Sequence, residues 1–464
     1  MGQINIIQAD EKLFERQQVP MPHFTAEDYL RRVELLLERM NREGLSHVVI
    51  YGDREHFANI EYFSGYDCRF EEGLLIFDSR GARHIVVGNE GYGYSYQIPY
   101  EINRILYQNF SLQGQPRGES KSLQKIFDDV GIGRDSRVGV AGYKYFYHAH
   151  FQNPDQVYDL PLYIMDALFE SAGREHVSNF TRHLTGLPDG IRMQIRTPKE
   201  VAWAEYSAVK CANVLLNLLE GLETGTQEIE VSRRGRIDFS PVCMFSLVNF
   251  GSRNLSLGLR SPDDNTLKLG DVCGLCYGVR GSLTSRTGVA ARTLEDYPEA
   301  IRPSLESFYK PFWRAIAAWY ETVRSGVCAG DVYEAVMGII GGPEFGVALN
   351  PGHNTGMDEW TNSPVYKGSP LPIPSGSYMQ CDIIASRSDP FQNAICEDTV
   401  VIADGALREQ IQREYPALFA RVLERQKRMR ELLGIQLDDS VLPMSNLNGV
   451  YFPFMLDQTR IFSK

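Results

Sequence analysis

The chain has 464 residues, 43% apolar and 23% charged, with a formal charge of −12, so length predicts two or three cores and composition an ordinary globular protein. No segment holds the ~18 uninterrupted apolar residues of a membrane span. The densest basic stretch, Arg233, Arg234 and Arg236, is too short for phosphate neutralisation, so neither membrane nor nucleic acid is an expected partner. The opening MGQINIIQADEKLFERQ has no basic n-region and no apolar h-region, and Asn5 and Ile6 do not supply the Ser/Thr of a myristoylation motif. Eight scattered cysteines, several inside apolar runs, read as reduced thiols rather than a disulfide framework. A cytoplasmic protein is expected.

In chain order, Thr25 and Glu27 ahead of Leu30, Val33, Leu36, Leu37 and Met40 predict a capped amphipathic helix that stops near Gly44. The short apolar runs His47–Tyr51, Gly73–Phe77, His84–Gly88 and Arg137–Ala141 follow as strands between turn residues, giving an N-terminal α/β domain over 1–190. Within it, Tyr143–Arg192 lacks clear periodicity and reads as a long irregular connection. Pro198 opens a long helix ended by Gly221. Strands at Val242–Asn249, Val272–Tyr277, Tyr378–Ala385 and Thr399–Ala403, with helices near Tyr297–Val323, Tyr333–Ile339 and Glu414–Leu433, predict an α+β sheet domain over 196–435. The remainder, 436–464, is an aromatic tail expected to pack on the body or on a partner.

Four stretches of the second domain then carry a likeness. They are Leu269-Gly270-Asp271-Val272 leading to Ser285-Arg286-Thr287; Pro351-Gly352-His353 with Gly356; Gly376 to Asp382; and Glu397-Asp398-Thr399 followed by Asp404-Gly405. In order and spacing they resemble the signature stretches of the creatinase/prolidase, M24-like "pita-bread" hydrolases. Tyr62-Phe63-Ser64-Gly65 through Gly73-Leu74-Leu75-Ile76 is similar to the N-terminal domain of creatinase-type members. The resemblance implies a creatinase-like α/β domain joined to a pita-bread α+β domain, in a homodimer with shared active sites.

The metallopeptidases of that family hold two divalent ions with two Asp, one His and two Glu, carboxylate oxygens suiting hard cations. Carried over position by position, the first Asp falls on Cys276, the second on Leu283, the His on His353, one Glu on Asp382 and the other on Glu397. The peptidases' additional His falls on Trp360. Creatinase, which works without metal, has a His that falls on Leu259 and a Glu that falls on Ser285. The chain departs from both patterns.

On this resemblance His353, Asp382 and Glu397 are the expected catalytic set, since one of two neighbouring carboxyls can keep a proton while the other acts as base. Two other readings stay open: a buried polar network that only satisfies itself, and a single divalent ion held by the same three groups. Cys276, Tyr277, Arg286 and Trp360 are candidate pocket walls, with the Cys276 thiol a potential nucleophile. Cys273-x-x-Cys276 is a weak metal or redox signal, because strand residues three apart face opposite sides. Cys381 and Cys396, each preceding an inward carboxylate, belong to the sheet's other face. Arg69 and Phe70 lie near the positions from which creatinase-like dimers reach into the partner's site; an Arg there can clamp a carboxylate in bidentate fashion, or simply pair with Glu71 or Glu72. The expectation is a metal-independent, cofactor-free hydrolase of C–N bonds in a small polar nitrogen compound such as an amidine, lactam or modified amino acid. A mononuclear-metal hydrolase or lyase and a catalytically silent binding protein are the alternatives.

Overall fold

The computed structural model describes residues 3–238 and 240–464. They divide into two compact units, His23–Arg192 and the combination of Met1–Pro22 with Met193–Lys464.

In the first unit, the helix Ala26–Arg42 buries Val33, Leu36 and Met40. Its N-terminus is closed by Asp28, whose carboxylate accepts from the Thr25 backbone N–H at 2.7 Å, a bond that fixes where the chain turns into the helix. A six-stranded sheet runs in the order Asn103–Leu106, Arg83–Val87, Gly73–Asp78, His47–Gly52, Val138–Ala141, Val177–Asn179. It is mixed, with parallel pairing at both ends and antiparallel pairing in the middle. The stretch read as irregular contains a helix, Leu162–Ala172, that buries Ile164, Met165 and Leu168. Its flanking prolines and aromatics hide the period in the sequence.

The second unit is built on a seven-stranded sheet. Its main path is His353–Asn354, Tyr378–Ser388, Phe391–Ile402, Ser282–Val289, Val272–Val279, Val242–Phe250, with Val441–Pro443 added alongside Phe391–Ile402. The long helix Pro198–Glu220 begins as expected, with a capping box between Thr197 and Glu200 and Pro198 in its first turn. The span expected as one helix over Tyr297–Val323 is broken: an α-helix covers only Lys310–Thr322, preceded by a π-turn at Leu305–Tyr309 and two short 3-10 turns. Two helices, Gly405–Glu414 and Pro416–Glu431, occupy the C-terminal helical region, Pro416 separating them because it cannot continue the first.

Both chain ends belong to this unit. Asn5–Gln8 pairs with Arg460–Ser463, so the first residues join the second unit rather than the N-terminal domain. The aromatic segment is core: Tyr451, Phe452 and Phe454 are buried, and the Tyr451 hydroxyl donates to the Thr287 carbonyl. No described helix is long and apolar enough to cross a membrane.

Candidate functional site

Strand register assembles the site. Reading across the sheet, Leu247 pairs with Cys276, Cys276 with Ser285, Ser285 with Glu397 and Glu397 with Asp382. Directly opposed residues project to the same face, and all five line one cavity of about 260 Å³. In the adjoining row His353 pairs with Gln380 and Gln380 with Thr399.

His353 is held by its own loop. Gly352 has φ +104°, in the left-handed region, and a Cβ there would meet Trp319 Nε1 at 2.8 Å and the Gln380 carbonyl at 2.9 Å; only glycine fits. Trp319 Nε1 donates to the Pro351 carbonyl at 2.9 Å, and the imidazole stacks on Trp360 with centroids 4.0 Å apart. His353 Nδ1 donates to the Asn354 carbonyl at 3.1 Å, which leaves Nε2 facing the acids. Nε2 lies 3.2 Å from Glu359 Oε1, 3.7 Å from Glu397 Oε1 and 3.8 Å from Asp382 Oδ2.

The electrostatics derive from this packing. Burial alone would lower the His353 pKa, but the Glu359 and Glu397 carboxyls beside Nε2 raise it to about 10, so the ring is an imidazolium at neutral pH. Burial raises the Asp382 carboxyl to about 6 against the pull of His353. Glu397 is pushed well above the ordinary carboxylate range, by burial first and by Asp382 next. A directional chain supports Glu397: Ser282 donates to Thr399 Oγ1 (2.7 Å), Thr399 to Gln380 Oε1 (2.8 Å), and Gln380 Nε2 to Glu397 Oε1 (2.8 Å).

Glu359, Gln380, Thr399 and Ser282 were not among the expected site residues. Gln380 and Thr399 are each two positions from a recognised carboxylate on the same strand, so period-two alternation points to them. Glu359 sits in an irregular turn with no such signal. One ring nitrogen and two carboxylates, from His353, Glu359 and Glu397, lie within 4.8 Å of one another and could hold a single cation; Glu359 stands in that set where Asp382 was expected.

Of the expected walls, Cys276 and Trp360 line the cavity. Tyr277 and Arg286 do not, and both are corrected by the same alternation. Tyr277 follows Cys276 on its strand and belongs to the hydrophobic core. Arg286, between Ser285 and Thr287, is fully buried on the sheet's other face. There it pairs with Asp398 at 2.8 Å and donates to the carbonyls of Leu447 and Val450, while Asp398 also accepts the Gly449 N–H. Cys381 and Cys396 lie in the core with Cys273. The Cys276 thiol is pushed well above its ordinary value by burial and then by Glu397, which disfavours the thiolate a nucleophile needs. In the other unit, Arg69 pairs with Asp67 at 3.3 Å and donates to the Tyr94 hydroxyl at 3.2 Å, rather than pairing with Glu71 or Glu72. Phe70 is 70% exposed.

No protein-family model matches the chain, and no curated protein matches its sequence. Solved structures do match. A recombinant prolidase from Thermococcus sibiricus aligns with a TM-score of 0.62 at 16% identity, over 81% of this chain and 95% of the other. An Xaa-Pro dipeptidase from Bacillus anthracis gives 0.61 at 12%, over 82% and 96%. Dipeptidase PepE from Mycobacterium ulcerans gives 0.60 at 18%, over 82% and 95%. At such identities the likeness shows the fold alone: an α/β N-terminal unit and a pita-bread α+β unit.

Proposed function

We propose that this protein is a hydrolase of C–N bonds in a small nitrogen compound and that it works without a bridged pair of metal ions. The observation that carries the reading is the row Cys276–Ser285–Glu397–Asp382 in one cavity beside a charged His353. Two positions where the resemblance expects metal-binding aspartates hold Cys276 and Leu283, and both side chains line that cavity. Leucine offers a cation no donor atom, and a thiol held protonated by burial is a poor ligand. Two divalent ions bring four positive charges, more than the carboxylates here can balance beside an imidazolium.

In this reading Asp382, raised only to about 6, is the ionised carboxylate near neutral pH and takes a proton from water as the oxygen attacks the carbon. Glu397, pushed well above the ordinary range by burial and by the Asp382 charge, keeps its proton and gives it to the departing nitrogen as the C–N bond breaks. His353, being charged, stabilises negative charge on the attacked group rather than accepting a proton. The proton taken up by Asp382 then passes to Glu397, restoring the starting state. A cytoplasmic setting goes with the reading, the eight cysteines being unbridged, and so does a homodimer in which Arg69 and Phe70 serve the partner's cavity.

The convergence of His353, Glu359 and Glu397 favours a second reading, a hydrolase or lyase with one divalent ion held by these three. Turnover in a screen of amidines, lactams and N-substituted amino acids, combined with metal analysis of protein purified without chelator, separates the two. No turnover of any compound by folded dimer contradicts both and leaves a binding protein.

A further inference from the structure

The cavity lining is mixed. It includes Leu247, Leu255, Leu283, Ile384 and Ile395, and Leu259 and Leu349 on the same lining are 67% and 50% exposed. Apolar surface thus continues from the interior to solvent. The same lining holds Glu359, Asp382 and Glu397, and no described residue lining the cavity is Lys or Arg. Three carboxyls beside one imidazolium leave the lining with an excess of acceptors. One of these is unspent: Asp382 Oδ1 is buried without a hydrogen-bond partner, on a side chain that is 7% exposed. A buried acceptor left unpaired is costly and calls for a donor. Water could supply one but would gain nothing from the apolar walls.

We infer that the cavity takes an amphiphilic cation with no carboxylate: an amidinium head on an aryl or branched alkyl body, the head donating to Asp382 Oδ1 and the body lying along the leucine and isoleucine walls. A planar amidinium presents parallel N–H donors that match a carboxylate edge. An anionic group on the same ligand would meet acids or hydrocarbon and no Lys or Arg of the lining. The inference rests on the hydrolase reading of this site only for the chemical step after binding; it narrows the expected polar nitrogen compound to one with an apolar body.

The test is calorimetric titration of the full-length protein with three probes: phenylacetamidine, acetamidine and phenylacetate. Phenylacetamidine should bind about tenfold or more tightly than acetamidine, which lacks the body, and phenylacetate should give no measurable binding. Asp382→Asn should weaken phenylacetamidine about 10–100-fold, the loss expected for a hydrogen bond to a charged group, with the melting temperature as control for folding. Leu259→Gln, at an exposed position, should weaken phenylacetamidine and leave acetamidine unchanged. Equal or tighter binding of phenylacetate, an unchanged affinity in Asp382→Asn, or binding of none of the probes overturns the inference. The hydrolase reading fails separately: phenylacetamidine that binds as described while nothing in the amidine, lactam and amino-acid screen is turned over sinks hydrolysis and keeps the ligand class. Turnover of a carboxylate-bearing compound with no amidinium binding does the reverse.

Discussion

Asp382 and Glu397 face each other as a directly opposed pair on neighbouring antiparallel strands, and both are buried. Two carboxyls so placed resist double ionisation, which separates an acid from a base without help from any third group. Glu397→Gln keeps the shape and can still accept from Gln380, but it cannot give or take a proton. Turnover should fall about 10²–10⁴-fold with little change in melting temperature. Activity above a tenth of the original assigns Glu397 to structure alone.

Arg286 tests the correction made by strand alternation. Arg286→Met leaves the Asp398 carboxylate buried without its guanidinium partner, and loss of one member of a buried pair costs about 3–5 kcal/mol. Urea unfolding should show that loss, while folded protein at low temperature keeps its affinity for cavity ligands. A variant of normal stability with a changed KM returns Arg286 to the cavity wall.

Acid should loosen the His23–Arg192 unit for reasons unrelated to the site. His47 is buried, and burial lowers its pKa although Asp78 opposes the shift and Arg80 and His84 add to it. His84, on the strand across Gly73–Asp78, is lowered in the same way. For a base with a depressed folded pKa, the unfolded chain takes up a proton that the folded chain does not. Stability is therefore complete above the ordinary value of 6.5 and declines as pH falls below it. Hydrogen exchange in the strand Gly73–Asp78 should accelerate between neutral pH and mild acid beyond the intrinsic change, and His47→Gln should reduce that acceleration. Equal acceleration in the variant removes His47 as the cause.

The proposed shared site is tested by mixing chains. If Arg69 serves the partner's cavity, Arg69→Ala and Glu397→Gln chains, each nearly inactive alone, should regain about a quarter of the original activity after random exchange, because half the dimers of a two-fold pair are mixed and each mixed dimer has one intact site. A mixture that stays inactive after confirmed exchange confines Arg69 to its own unit.

Much of the fold was legible because strong periods and punctuation coincide. The helix from Pro198 and the strands from His47, Gly73 and Val272 begin at or beside their expected residues. Periodicity failed where geometry changes inside a segment: the π-turn at Leu305–Tyr309 interrupts what reads as one continuous helix, and the pairing of Asn5–Gln8 with Arg460–Ser463 is a contact between chain ends that no local pattern encodes. At the site, order and spacing of short motifs pointed to His353, Asp382 and Glu397, side chains that lie together in the structure. Strict alternation, applied to Cys276-Tyr277 and to Ser285-Arg286-Thr287, would have removed Tyr277 and Arg286 and added Gln380 and Thr399. Glu359 was invisible, since a turn has no period to place its side chain beside the imidazole.

The most direct measurement is ammonia release from phenylacetamidine, or from the fastest amidine in the panel, by protein dialysed against chelator and verified metal-free by mass spectrometry. The account predicts the same rate as untreated protein, which itself should carry well under two equivalents of any divalent ion. Two tightly bound ions per chain, or release that vanishes on stripping and returns with added Mn²⁺, would contradict it.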